Sequence, residues 1–140
     1  MTRIDATAPV IARNELFIGA PMETIWNAQT DIWSWTQWRP TVTAAHLDGE
    51  PKAGSDFKWE EGGLKITSTV QERIPTRRIV WTGQAQGIDA VQVWGFIATS
   101  GGVRVRTGES WSGEVVRANA ATLQPVLDGV LQDWLTRLSA

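Results

Sequence analysis

One carboxylate lies among indoles. Glu109 stands two residues before Trp111, in a segment where Arg104 and Arg106 alternate with Val103 and Val105. Successive side chains of a strand point to opposite faces. With Arg104 and Arg106 in solvent, Val103, Val105, Thr107, Glu109 and Trp111 share the inner face. Burial among indoles makes a carboxylate costly to ionise, which raises its pKa and suits it to acid or base work near neutral pH. The alternatives are a structural carboxylate that accepts hydrogen bonds from indole N–H groups or from Arg39, or one on the outer face. Gln92 shares a face with Trp94 and Phe96 on the preceding segment. It is a candidate donor to a ligand carbonyl, or else a satisfied polar core residue.

Other chemistries are poorly supplied. There is no cysteine, which removes disulfides, thiolate metal sites and a cysteine nucleophile. The single histidine, His46, cannot build a histidine metal site and argues against a hydrolase triad; it reads as a surface residue. No metal and no cofactor are expected. The pairs Gly62-Gly63 and Gly101-Gly102 read as hairpin turns, because neither leads into a helix as a phosphate loop does. Asp31 reads as a helix cap, with Trp33, Trp35 and Trp38 as packing or as the mouth of a pocket.

Nine of the 140 residues are tryptophan. Indole is bulky, flat and mostly apolar. So many in a small domain imply either a bulky core or a cavity walled with rings, and composition leaves both open. The inner wall expected from alternation is Trp59, Trp81, Trp94, Phe96 and Trp111, with Ser68, Gln92, Thr107 and Glu109 as polar points. A bulge would reverse any of these faces. The net charge of −2 gives no global attraction to nucleic acid or anionic membrane. Arg77-Arg78, the longest basic run, reads as a solvated turn. No apolar run approaches the roughly 18 residues of a membrane-spanning helix, and no long apolar signal core follows Met1. A cytoplasmic location is the default expectation, homodimerisation is left open, and residues 1–140 read as one domain.

The elements that must hold these residues follow from periodicity. Val10 to Ile18 reads as a strand. Ala20-Pro21 starts a short helix with Met22, Ile25 and Trp26 on its apolar face. A second short helix, Ile32 to Trp38, must stop before Pro40. Period two then takes over. Strands are predicted at Val42 to Leu47, Ser55 to Glu60, Leu64 to Arg73, Arg78 to Gly83, Ile88 to Ile97 and Val103 to Trp111, joined by turns as in an antiparallel meander. The end is helical, with Val116, Ala120, Leu123, Leu127, Leu131, Trp134 and Leu138 in one stripe. Pro125 inside that stripe predicts a kink or break. The burial demands are met by an α+β arrangement, a strongly curved antiparallel sheet with the long helix across its concave face.

Several segments, taken in order, resemble a known family. They are Ala20-Pro21-Met22-Glu23-Thr24-Ile25-Trp26, Thr30-Asp31 through Trp35 and Trp38 to Pro40, Leu47-Asp48-Gly49, and Gly54-Ser55-Asp56-Phe57-Lys58-Trp59. Ile66-Thr67-Ser68-Thr69-Val70, Pro75 with Ile79-Val80-Trp81-Thr82-Gly83, and Glu109-Ser110-Trp111 complete the set. The chain is similar to the SRPBCC superfamily, the START/Bet v 1-like helix-grip fold, in its polyketide cyclase/dehydrase branch. The resemblance implies a curved sheet wrapped around the C-terminal helix, with two short helices after the first strand. With the indole-lined inner wall, this leads to the expectation of a hydrophobic, aromatic or polycyclic small-molecule ligand, while the charge balance and the short apolar runs lead to the expectation of neither nucleic acid binding nor membrane insertion. Cyclase or dehydrase chemistry is implied by the family name alone, and only Glu109 would supply its acid or base. Relatives tend to carry a histidine in a His-x-Trp pattern where this chain has Gln92, which weakens a proton-transfer role. A protein-interaction module of the Hsp90-activator type shares the fold and would show an exposed apolar groove.

Overall fold

The computed structural model describes residues 3–47 and 49–140. Asp48, part of the Leu47-Asp48-Gly49 match, lies outside the described residues. Strand β1 (Val10–Ile18) is followed by helix α1 (Met22–Thr30), a 3-10 turn (Ile32–Ser34) and helix α2 (Trp35–Trp38). Six strands come next: β2 (Val42–His46), β3 (Asp56–Glu61), β4 (Leu64–Ile74), β5 (Arg78–Ala85), β6 (Ile88–Thr99) and β7 (Gly102–Ser112). Helices α3 (Glu114–Ala118) and α4 (Ala120–Leu138) end the chain. The strands form one sheet in the order β1-β7-β6-β5-β4-β3-β2, with every neighbouring pair antiparallel.

Alternation sets the faces. On β7, Val103, Val105, Thr107 and Glu109 are buried while Arg104 and Arg106 are exposed, as the sequence predicts. Gly108 and Ser110 break the alternation, since they are buried on the outer face. The N-terminal segment covers them there: the Asp5 backbone N–H donates to Ser110 Oγ at 2.9 Å. A bulge between Val70 and Glu72 shifts the β4–β5 register. It follows Ile66, Ser68 and Val70, so their common face is kept.

Turn chemistry explains the hairpins. Gly62 and Gly63, with φ of 58° and 83°, supply the left-handed pair of a tight β3–β4 turn. The Gly101-Gly102 pair works differently. Gly101 (φ 82°) is in the turn, but Gly102 is already in β7. A Cβ there would lie 2.2 Å from the Ile18 carbonyl oxygen, so Gly102 is required by the close approach of β1.

The C-terminal helix breaks at Asn119, and Pro125 lies inside α4. The predicted position of the break is thus corrected by six residues. Asn119 leaves helical geometry (φ −129°, ψ 25°), and its carbonyl accepts the N–H groups of Thr122 and Leu123 to begin a new helix. Pro125 comes early in that helix, where its one forfeited bond, to the Ala121 carbonyl, is tolerated. Asp31 is also not the cap expected. Its side chain makes no capping bond, and its backbone carbonyl accepts the Ser34 N–H and hydroxyl.

The core is built on rings. Trp35, fully buried, has the rings of Phe57, Trp59, Trp81 and Trp134 at 5.8, 5.3, 5.4 and 5.2 Å. Gln29, on α1, ties the short helices to α4. Its side-chain oxygen accepts the Trp134 N–H at 2.9 Å and its backbone carbonyl accepts the Trp35 N–H at 3.1 Å. A smaller cluster, Val10, Ala12, Val116, Leu127 and Leu131, closes the other end of the helix onto β1.

Candidate functional site: an indole-walled cavity

Between α4 and the inner face of the sheet lies a cavity of about 590 Å³. It opens where the facing residues are small. Gly83 on β5, Ala90 on β6 and Gly129 on α4 all line it. A Cβ at Gly129 would meet nothing within 4 Å. Further along the same sheet and helix, Trp94, Phe96, Trp134 and Leu135 fill the corresponding space. Both readings of the tryptophan content therefore hold, one at each end: a ring-packed core and a ring-walled cavity.

Of the residues expected on the inner wall, Trp59, Ser68, Trp81, Gln92, Glu109 and Trp111 come together on the cavity lining. Trp94, Phe96 and Thr107 face inward but do not reach it. Trp94 packs against Trp134 at 5.2 Å, Phe96 against Trp26 at 5.2 Å, and the Thr107 hydroxyl donates to the Val93 carbonyl at 3.0 Å. Inward orientation is a property of the strand, whereas facing a cavity depends on where the helix leaves the sheet. Trp33, Trp35 and Trp38 do not line the cavity either. His46 is exposed, with its ring against Trp33 at 4.5 Å.

Glu109 is the polar centre of one wall. Its Oε2 accepts the Trp111 indole N–H and its Oε1 accepts the Gln92 amide, both at 2.6 Å. Desolvation raises its pKa to about 7. The Trp111 and Gln92 hydrogen bonds oppose that rise, Glu61 adds to it and Arg39 counters it. Gln92 Oε1, buried beside the carboxyl, has no partner among the described residues. Ser68 is engaged, its hydroxyl oxygen accepting the Trp59 N–H at 3.0 Å.

The sequence offers Arg39 as a donor to Glu109; in the structure it bonds Glu61 instead and forms a second polar group of the site. Arg39, fully buried, donates from Nη2 to Glu61 Oε2 at 2.5 Å and stacks over the Trp134 ring at 3.6 Å. Thr41 donates to the same Glu61 oxygen at 2.8 Å. Burial pushes the Arg39 pKa below its ordinary value, and the charges of Glu61 and Asp133 hold it up. Arg39, Glu61, Asp133 and Trp134 all line the cavity. Small residues at inward positions, Gly83, Ala90 and Gly129, are the sequence signal that marks where the cavity lies.

A curved antiparallel sheet gripping a long C-terminal helix, with a ring-walled cavity between them, defines a START-like helix-grip protein. The chain belongs to the polyketide cyclase/dehydrase and lipid transport family, whose pattern matches residues 10–140. Solved structures agree in fold. A hypothetical protein of Helicobacter pylori superimposes with a TM-score of 0.84 at 21% identity, covering 99% of this chain and 95% of its own. A protein of Thermus thermophilus gives 0.77 at 15%, covering 92% and 94%. A START-superfamily protein of Mycobacterium smegmatis gives 0.69 at 14%, covering 91% and 96%. Among curated proteins none matches. Among the described residues no helix is long and apolar enough to cross a membrane.

Proposed function

We propose that the chain binds a flat, hydrophobic small molecule, aromatic or polycyclic, in the cavity between α4 and the sheet. The observation that carries this reading is the pairing of indole walls, Trp59, Trp81 and Trp111, with one buried carboxyl, Glu109. Apolar walls with a few placed polar groups suit ligands of this kind. A polar edge of the ligand would meet Glu109 and Gln92. The family description, which names lipid transport beside cyclase and dehydrase, supports an apolar cargo.

The test is titration with a panel of polycyclic and fatty compounds, read by tryptophan emission and melting temperature. A ligand of the native state raises the melting temperature. Unchanged emission and melting across the panel would overturn the reading. One observation favours a second reading, a cyclase or dehydrase in which Glu109 moves a proton: its pKa of about 7 suits that work. Glu109→Gln separates the two. A binding protein keeps its ligand in this variant, whereas an enzyme keeps the ligand and loses turnover.

A further inference from the structure

The outer face of the sheet carries a cationic patch that the cavity does not explain. Strand register builds it row by row. Arg78 on β5 faces Gly95 on β6, which faces Arg106 on β7, which faces Glu15 on β1. In the next row Val93 faces Gly108, which faces Arg13. Gly95 leaves the sheet bare between Arg78 and Arg106, whereas Gly108 is covered by the Ile4 and Arg13 side chains. A Cβ at Gly95 would meet only backbone oxygens at 4.0 Å. The result is a recess of about 410 Å³ rimmed by Arg3, Arg13, Arg78 and Arg106.

Five of the protein's 13 basic residues are gathered here, counting Arg104, although the whole molecule is net acidic. Among the described residues two glutamates pair with them. Glu15 pairs with Arg106 at 3.1 Å and Arg104 at 3.7 Å, and Glu72 pairs with Arg78 at 3.2 Å. The patch therefore stays net positive. On the other side of the Gly95–Arg106 row lies the row Ile97, Arg104 and Phe17. Phe17 and Ile97 are each 48% exposed. Guanidinium groups matched to phosphate, with large apolar side chains beside them on one open face, make a surface that meets charged headgroups and the acyl boundary together.

We propose that this outer sheet face docks on an anionic phospholipid bilayer, with a headgroup phosphate seated in the recess over Gly95, between Arg78 and Arg106. Phe17 and Ile97 enter the boundary beneath the headgroups. The inference stands apart from the cavity, which lies on the opposite face of the sheet. A protein with an acidic net charge still binds an anionic surface if it presents its basic face, because the attraction acts within a Debye length.

The experiment is co-sedimentation of the full chain with vesicles of phosphatidylcholine alone and of phosphatidylcholine mixed equally with phosphatidylglycerol. Binding is expected only to the mixed vesicles and is lost in high salt. Each arginine is worth about fivefold in partitioning onto an anionic surface, so Arg78→Gln/Arg106→Gln lowers binding about 25-fold. Phe17→Ser/Ile97→Ser also lowers it. Arg117→Gln/Arg137→Gln, on α3 and α4 across the sheet from this face, leaves it unchanged. Melting temperatures close to that of the parent confirm that the variants are folded. Equal binding to both vesicle types, binding to neither, or an arginine variant that binds like the parent overturns the proposal. Inorganic phosphate or duplex DNA that binds this face while mixed vesicles do not also overturns it, and assigns the recess to a soluble phosphate or a nucleic acid.

Discussion

Glu109 accepts two 2.6 Å hydrogen bonds that favour its anion, yet its pKa rises to about 7, because desolvation outweighs them. This has a stability consequence with a definite sign. The native state holds the proton above the pH at which the unfolded chain releases it. The contribution of this group is therefore fully present below about pH 4.5 and is lost as pH rises to about 7. The loss amounts to about 3 kcal/mol. Glu109→Gln cannot ionise, and rotation of the Gln92 amide lets the two side chains bond each other. Urea unfolding from pH 4 to 8 should show parent and variant close together at the acid end, with the variant more stable by up to about 3 kcal/mol near pH 8. A variant less stable than the parent at pH 8 would mean that the anion is held as a structural acceptor. Arg39 poses the reverse problem, a buried cation whose Nε and Nη1 have no partner among the described residues. Its attraction to Glu61 and its stacking on Trp134 must offset desolvation. Arg39→Met should destabilise by about 3 kcal/mol, because Glu61 is left without its cation. Adding Glu61→Gln should restore part of that loss, and denaturant midpoints of the two variants check the order.

At the scale of the elements, the strands were readable because polar and apolar residues alternate, and Arg104 and Arg106 against Val103 and Val105 fixed a face. The short helices were readable from Pro21 and Pro40. What alternation does not carry is depth. Trp94 and Trp81 face the same side of neighbouring strands, but only Trp81 meets the cavity, since the helix closes over Trp94. Trp134 was visible in the helical stripe, but its place on the cavity wall depends on how α4 crosses the sheet. Arg39 was legible only as a possible donor to Glu109; its pairing with Glu61 and its stacking on Trp134 depend on how α4 crosses the sheet. The helix break was assigned to Pro125 on local chemistry, whereas the chain turns at Asn119, where α3 ends. Gly102 is a junction sensitive to substitution. Gly102→Ala places a methyl group 2.2 Å from the Ile18 oxygen, so β1 and β7 must separate at that end. A loss of about 2 kcal/mol or more is expected, within the range for forced overpacking. Gly101→Asn, in the adjoining turn, should cost less, because asparagine tolerates left-handed backbone and a Cβ there meets nothing. Thermal unfolding of the two variants compares them directly.

Across the whole molecule, stability and binding make opposite demands on one space. Protein interiors pack closely, so about 590 Å³ between α4 and the sheet forgoes contacts that larger side chains would make. Gly129 maintains that opening at a cost to its own helix, since glycine in a helix interior is about 1 kcal/mol less favourable than alanine. Gly129→Leu should therefore do two things at once. The free protein should gain roughly 1 kcal/mol or more, from helix propensity and from apolar contact with the walls. The ligand should lose its room. In the parent, a ligand at about 100 times its Kd adds about 2.7 kcal/mol of stability, and in the variant that increment should shrink towards zero. Melting curves of both proteins with and without a bound polycyclic compound measure all four states. If the variant is stabilised and still responds fully to the compound, the compound binds outside this cavity. If it is destabilised, the helix lies too close to the sheet for a leucine, and the space is too small for a flat polycyclic guest. Only a more stable free protein with a lost ligand response fits a cavity kept open for a cargo.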